Sequence, residues 1–317
     1  MKVFIPQDVA ESGKEFLRKN GYELRIGPGY SPDILMKELA DCDGVLARTA
    51  VFDADVLAAG PTLKVIARHG VGFDNIDIDL AAEKGIWVTN TPEALSSTVA
   101  EHAIGLMLAV GRGYIKLDRA VRSGDFSIRT RMAGVDIHGK IMGLIGLGRI
   151  GREVARRAGA GLGMQIIAYD PYVQGAVPGV ELLDSVEEVL RRADFVSLHL
   201  PSTKATRGLI DSEKLGLMKP TAYFINTARG DIVDEEALIQ TLQAGSIAGA
   251  AIDVYAQEPP DPANPLFTLE NTVVMPHAAS LTYECTSRMS LHAAQSIHEV
   301  LSGQRPNWPV NNPPHPR

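Results

Sequence analysis

The run Ile141-Met-Gly-Leu-Ile145 passes directly into Gly146-Leu-Gly148-Arg149-Ile150-Gly151 and then into Glu153-Val-Ala-Arg-Arg. An apolar run, three spaced glycines and a helical pattern in unbroken succession describe a strand, a tight turn and a helix. Gly146 permits the turn, Gly148 lets backbone approach a phosphate, and Gly151 lets helix and strand pack closely. Open N–H groups at the start of the helix then face an anion. The glycine spacing alone also occurs in structural turns, so its surroundings decide what it means.

Those surroundings are specific. The next expected strand, Gln165–Tyr169, ends in Tyr169-Asp170-Pro171, which puts an acid about 20 residues beyond the glycines, where a carboxylate can accept both hydroxyls of a ribose. A 2′-phosphate at that place would be repelled. The pattern predicts NAD as cofactor rather than NADP.

Short β-branched runs alternate with helical stretches along the chain, which implies parallel sheets. A first series comprises Lys2–Ile5, Gly44–Ala47, residues 63–67 and Trp87–Thr89. A segment opening at Ser97-Thr-Val-Ala-Glu101 has the spacing of a capping box, and Val99, Ala103, Leu106, Met107 and Val110 share one helical face. It is expected to form a helix of about five turns. After a polar, Gly- and Arg-rich stretch, residues 112–140, a second series is expected at Ile141–Ile145, Gln165–Tyr169, Phe195–Leu198, residues 222–225, Gly249–Ile252 and residues 273–275. Six strands match a dinucleotide fold. Residues 287–300 again read as helix, ahead of a Pro- and Asn-rich tail.

The chain has 317 residues, enough for two domains of about 150 each. Its formal net charge of −7, without a long basic block, argues against a nucleic-acid or anionic-membrane surface. Cys42 and Cys285 stand alone, so neither a disulfide framework nor a metal site is expected and a cytoplasmic location is the default. The N-terminus lacks the layout of a signal peptide, and the apolar stretch at residues 103–110 is too short to span a bilayer.

Three late segments each carry a functional group just after an expected strand: Asn226-Thr-Ala-Arg229-Gly230, Asp253-Val-Tyr-Ala-Gln-Glu258-Pro259 and Pro276-His277. Open α/β sheets build their sites there. Arg229 can hold a substrate carboxylate and the oxygen at C2 with its planar fork of donors. His277 can take a hydroxyl proton as hydride leaves C2 and return it in the reverse direction. Glu258, bonded to the imidazole, would orient it and favour its protonated form. Taken singly, each has a plainer reading as a surface ion pair, loop decoration or a satisfied side chain. Three such groups at successive strand ends of one dinucleotide fold are what a catalytic site requires.

Over nearly its whole length the chain resembles the NAD-dependent D-2-hydroxyacid dehydrogenase family, near its phosphoglycerate dehydrogenase and hydroxypyruvate reductase branches. Besides the segments above, the likeness rests on Arg68-His-Gly70-Val-Gly72-Phe-Asp74-Asn-Ile-Asp77, Asn90-Thr-Pro92, Val99-Ala-Glu101 and His199-Leu-Pro201. The resemblance implies an α/β protein of two doubly wound parallel-sheet domains. A Rossmann NAD-binding domain, residues 99–284, is inserted into a smaller flavodoxin-like substrate domain made of residues 1–98 and 285–317, with the site in the cleft between them. It implies catalytic roles for Arg229, Glu258 and His277, and substrate-carboxylate binding by the backbone of Gly70, Val71 and Gly72. It also implies cofactor contacts at Thr98, Gly146, Gly148, Arg149, Ile150, Gly151, Asp170, His199, Thr227 and Asp253, the last holding the nicotinamide amide. A homodimer is implied too, with residues 112–140 as an arm.

Departures bear on the substrate, which is expected to be a small 2-hydroxy or 2-keto acid of the 3-phosphoglycerate or hydroxypyruvate/glyoxylate class. After Asn90-Thr-Pro92 the chain reads Glu93-Ala-Leu95 where the phosphoglycerate branch usually has a small polar pair, and a carboxylate there disfavours a phosphate. Arg48 matches a basic position that can greet a phosphate in that branch, though it also reads as a free surface arginine. The chain ends at Arg317, so a C-terminal regulatory domain is not expected. Formate dehydrogenases on this scaffold place Gln where Glu258 stands. Phosphite dehydrogenase and NAD-sensing corepressors keep the Arg, Glu and His, and remain alternatives separable by turnover of a 2-keto acid.

Overall fold

Apolar runs buried on both faces form two separate parallel sheets in the computed structural model, which describes all 317 residues. Each sheet belongs to one of two compact units. The first comprises Met1–Leu95 and Leu281–Arg317, the second Ser96–Ser280. These divisions fall a few residues before the expected boundaries at 98 and 284.

The first unit opens with β1 (Lys2–Ile5), α1 (Glu11–Lys19), β2 (Glu23–Ile26), α2 (Pro32–Leu39), β3 (Gly44–Ala47), α3 (Ala54–Ala58), β4 (Val65–Arg68), α4 (Ile78–Glu83) and β5 (Trp87–Thr89). All pairings are parallel, in the order β2-β1-β3-β4-β5, the flavodoxin-like arrangement. The boundary between the units lies within α5 (Pro92–Arg112).

In the second unit follow α6 (Tyr114–Arg122), β6 (Ile141–Ile145), α7 (Arg149–Arg156), β7 (Gln165–Tyr169), β8 (Glu181–Leu182), α8 (Val186–Arg192), β9 (Phe195–Leu198), α9 (Ser212–Leu215), β10 (Tyr223–Asn226), α10 (Glu235–Gln243), β11 (Gly249–Ile252) and β12 (Thr272–Val274). Their order is β12-β11-β10-β9-β6-β7-β8, again all parallel. The final helix α11 (Tyr283–Leu301), capped by the Thr282 hydroxyl at Cys285 N–H, returns to the first unit.

Strand alternation fills both faces of each sheet. In β1, Phe4 packs with Leu35, Leu39, Phe52, Leu57 and Ile66. Val3 and Ile5 point the other way, toward Leu46, Val65 and the α11 residues Ala293, Ala294 and Ile297. In the second unit Val196, Phe224 and Ala250 pack under α8 and α10 through Val189, Leu190, Leu238 and Leu242. Phe195, Ile225 and Ala251 pack under α5 and α7 through Ala103, Leu106, Met107 and Val154. By length and mean hydropathy, 1.3, α5 passes for a membrane span, yet 56% of that window is buried inside the protein, as in a core helix.

Several expectations are corrected. The helix expected from Ser97 begins at Pro92, whose fixed φ and missing N–H suit a first turn. Ser97 is therefore interior, its hydroxyl donating to Glu101 Oε1 at 3.3 Å and accepting from Arg157 at 2.7 Å. The second sheet has seven strands rather than six because β8 forms a short edge. The edge strand β2, Glu-Leu-Arg-Ile, was likewise outside the sequence reading, since charged residues blunt exposed edges and erase the apolar signal.

Candidate active site

In the second sheet the chain runs outward in both directions from β6 and β9, so the carboxyl ends of these neighbours form the switch point where open α/β sheets bind ligands. The Gly146–Gly151 loop lies there. Gly146 has φ +95°, and a Cβ on it would stand 2.4 Å from the His199 carbonyl oxygen, so only glycine lets the two loops touch. A Cβ on Gly151 would stand 2.3 Å from the Gly146 carbonyl oxygen, while one on Gly148 would meet nothing within 4 Å. Gly146 and Gly151 close the turn against protein and Gly148 faces open space. Within α7 the earliest backbone bond runs from Arg152 N–H to the Gly148 carbonyl, leaving the Ile150 and Gly151 N–H groups open to an anion.

The other expected cofactor residues surround this loop to differing degrees. Asp170 closes β7 with its oxygens accepting from Leu147 N–H at 2.8 Å and Tyr172 N–H at 2.9 Å. Each oxygen keeps a lone pair for a ribose hydroxyl. Thr227 follows β10 with its Oγ1 buried and without a partner, an orphaned group that a ligand would satisfy. Thr98 is buried on α5 and Arg149 is exposed at the start of α7. His199 turns inward: its Nε2 meets Ser197 Oγ at 2.9 Å, and burial pushes its pKa down to about 4. The open glycine loop, the acid at the end of β7 and the orphaned hydroxyl fit a dinucleotide.

Beyond β10, Asn226 shapes a turn by accepting from Ala228 N–H at 3.0 Å and donating to the Arg229 carbonyl at 2.9 Å. The guanidinium Nη1 of Arg229 donates to the Ala228 carbonyl at 2.7 Å. Gly230 comes next, where a Cβ would lie 1.9 Å from the Tyr255 carbonyl carbon. Only glycine brings the segment after β10 against the segment after β11, which carries Glu258.

Glu258 Oε2 meets His277 Nδ1 at 2.7 Å, and Glu258 Oε1 accepts from Tyr255 N–H at 3.2 Å. Burial acts to raise the Glu258 carboxyl, but the bond and charge of His277, the Tyr255 N–H and nearby Arg229 outweigh it and hold the pKa below the ordinary value. His277 is the one non-glycine residue with positive φ, +54°, a conformation that costs about 1–2 kcal/mol outside glycine and asparagine.

Asp253 holds that backbone in place. Its carbonyl accepts from His277 N–H at 2.8 Å, and its carboxylate accepts from Ala278 N–H at 2.7 Å and Ala279 N–H at 3.0 Å. The side chain is fully buried. The carboxylate faces the peptide groups of the His277 loop, whereas the sequence expectation was a contact with the nicotinamide amide. Nothing in the sequence marked Asp253 as a backbone clamp, since its partners are peptide groups.

The remaining expected residues lie in the first unit. Arg48, half-buried after β3, donates from Nη1 to the Asp8 carbonyl at 3.2 Å. The Gly70 N–H, expected as a substrate donor, is already engaged by Thr91 Oγ1 at 3.0 Å and the Arg68 carbonyl at 3.0 Å. Asn90 Nδ2 donates to the Val71 carbonyl at 2.9 Å, so Asn90 and Thr91, overlooked as site residues, shape this loop. Val71 and Gly72 keep their N–H groups open.

Known proteins share this architecture. Residues 104–279 match the family model described as D-isomer specific 2-hydroxyacid dehydrogenase, NAD binding domain. The chain is 40% identical over 321 residues to a D-3-phosphoglycerate dehydrogenase of Methanocaldococcus jannaschii, covering 100% of this chain and 60% of that protein. Thus it spans about three fifths of that relative. A glyoxylate reductase of Korarchaeum cryptofilum is 39% identical over 320 residues, covering 98% of this chain and 96% of the relative. Among solved structures, an NADPH-dependent glyoxylate/hydroxypyruvate reductase of Sinorhizobium meliloti superposes with TM-score 0.90 at 28% identity, over 100% of this chain and 99% of that one. With its two parallel sheets and the match at residues 104–279, the chain belongs to the D-isomer specific 2-hydroxyacid dehydrogenase family and carries that family's NAD binding domain.

Proposed function

We propose that the chain interconverts a small D-2-hydroxy acid and its 2-keto acid with NAD(H). The observation that carries this reading is the 2.7 Å pair between His277 Nδ1 and Glu258 Oε2, on a strained backbone that simple packing would not select. The chemistry that the dinucleotide supplies when bound is hydride transfer at C2. Gly146, Gly148, Arg149, Ile150 and Gly151 are assigned to its phosphates, Asp170 to a ribose, and Thr98 and Thr227 to further contacts.

With the Nδ1 proton committed to Glu258, His277 Nε2 is the atom that exchanges a proton with the C2 oxygen. In keto-acid reduction the ring gives up its Nε2 proton to the C2 oxygen and keeps its Nδ1 side against the Glu258 carboxylate. Arg229 presents parallel donors to the substrate carboxylate and C2 oxygen. The open amides of Val71 and Gly72 are assigned to the substrate carboxylate.

Substrates are assigned to the glyoxylate, hydroxypyruvate and 3-phosphohydroxypyruvate class, with Arg48 as the group that would greet a phosphate. The test is NADH oxidation by the full chain with glyoxylate, hydroxypyruvate, pyruvate and 3-phosphohydroxypyruvate in turn. Turnover of at least one is expected, and turnover of none overturns the reading.

A homodimer accompanies this proposal. Helix α6 and the short 3-10 turn Phe126–Thr130 bury no residue, and Tyr114, Val121 and Phe126 are at least half exposed. A helix with that much uncovered apolar surface calls for a partner, assigned here to a second copy. Two buried thiols not joined in a disulfide, Cys42 and Cys285, accord with a reducing cytoplasm.

A further inference from the structure

The buried Asp253 carboxylate presents an electrostatic question that its backbone donors only partly answer. Two N–H groups satisfy one lone pair on each oxygen, but a fully buried negative charge also calls for a compensating partner. Its one ion-pairing neighbour is His102, on α5, whose Nε2 lies 3.5 Å from Asp253 Oδ1. That nitrogen is buried and makes no hydrogen bond. An orphaned imidazole nitrogen and an under-compensated carboxylate therefore face each other just beyond hydrogen-bond length.

We propose that His102 is a positioning residue for His277, carrying a proton on Nε2 and donating it to the Asp253 carboxylate that clamps the strained backbone of residues 277–279. A small approach of the two side chains closes the bond. The energetic logic is that left-handed φ at His277 persists only while its surroundings over-determine it. Asp253 does this through three backbone bonds, and His102 holds that carboxylate in place. His102 immediately follows the Val99-Ala-Glu101 segment on α5, so the helix that covers one face of the sheet would also steady the acid–base loop at its edge.

The inference rests on the catalytic role proposed for His277, and two measurements on the full chain separate their failures. In the first, histidine is labelled with nitrogen-15 and the imidazole spectrum recorded; the His102 signal is assigned by its loss in His102→Gln. A protonated Nε2 whose signal moves in Asp253→Asn is expected. An unprotonated Nε2, or a signal indifferent to Asp253→Asn, overturns the inference whatever the activity.

In the second, NADH oxidation is followed with the best of the four keto acids. His102→Leu is expected to lower kcat about tenfold or more while KM for NADH stays within about twofold, and His102→Gln, which can still donate, to recover most of the loss. Undiminished kcat in His102→Leu overturns the inference. Absence of turnover in the unaltered protein would instead sink the proposed function, leaving the spectrum to decide on His102. Should His102→Leu fail to fold, the spectrum again decides, since it needs only the unaltered chain, His102→Gln and Asp253→Asn.

Discussion

His277 Nδ1 sits 2.7 Å from Glu258 Oε2, and this contact, together with the Tyr255 N–H and nearby Arg229, outweighs burial and holds the Glu258 carboxyl below its usual range. In Glu258→Gln the imidazole keeps a neutral acceptor but loses the carboxylate that orients it. Keto-acid reduction is expected to fall by about tenfold or more. NADH oxidation by both proteins under the same conditions checks this, and equal rates would contradict it. The same depressed carboxyl has a stability consequence. Its contribution is present above the ordinary carboxylate range and is lost as pH falls through the lowered folded value, so the difference in Tm between the two proteins should shrink in acid.

Stability between neutral and mildly acid pH should depend on His69. Burial, then the charges of Arg48 and Arg68, lower its pKa from 6.5 to about 4. Folding therefore favours the neutral ring, while the unfolded chain takes up the proton first. Its penalty is absent above pH 6.5 and grows as pH falls toward about 4, on the order of 3 kcal/mol for such a shift. Urea unfolding at several pH values should show a shallower acid loss in His69→Gln than in the original chain. Equal slopes would show that His69 does not titrate this way.

Cofactor choice should follow the charge of Asp170. Its two oxygens already anchor Leu147 and Tyr172, so Asp170→Ala would also loosen the glycine loop. Asp170→Asn keeps an acceptor and removes the repulsion toward a 2′-phosphate. Its preference for NADH over NADPH, read as the ratio of kcat/KM values, is expected to fall about tenfold, equivalent to about 1.4 kcal/mol. An unchanged ratio would remove the ribose argument.

The close approach at Gly230 leaves no room for a side chain. Gly230→Ala would put a methyl 1.9 Å from the Tyr255 carbonyl carbon, forcing apart the segments that carry Arg229 and Glu258. Loss of keto-acid reduction by about a hundredfold is expected, with a Tm several degrees lower. Activity near that of the unaltered chain would show that these segments need not touch.

Association should depend on the uncovered face of α6 and the following turn. Val121→Glu combined with Phe126→Asp is expected to turn a dimer into a monomer in sedimentation at micromolar concentration. A monomer before substitution, or a dimer unaffected by it, would refute the assignment to a second copy.

The interior strands were legible because burial on both faces leaves uninterrupted apolar runs. Ile141–Ile145, Gln165–Tyr169, Phe195–Leu198 and Gly249–Ile252 have the same bounds in sequence and structure. Edge strands β2 and β8 carry charges and so gave no such signal. Ser97 imitated a helix cap because its spacing to Glu101 is local, whereas the true start at Pro92 depends on where β5 ends. Strand-end placement of Arg229, Glu258 and His277 could be read from motif order. The engagement of Gly70 by Thr91, the burial of Asp253 and the orientation of His102 could not, since each depends on residues distant in sequence.

The left-handed backbone at His277 places chemistry and durability in opposition at a single position. Asparagine or glycine would relieve about a kcal/mol of conformational cost there, while the exposed contact with Glu258 that they forfeit counts for little in folding. Inactive versions of this protein should then tolerate heat at least as well as the working one. Selection for stability alone would steadily erode the residue proposed to transfer the proton, whereas a continuing demand for turnover would keep histidine in place.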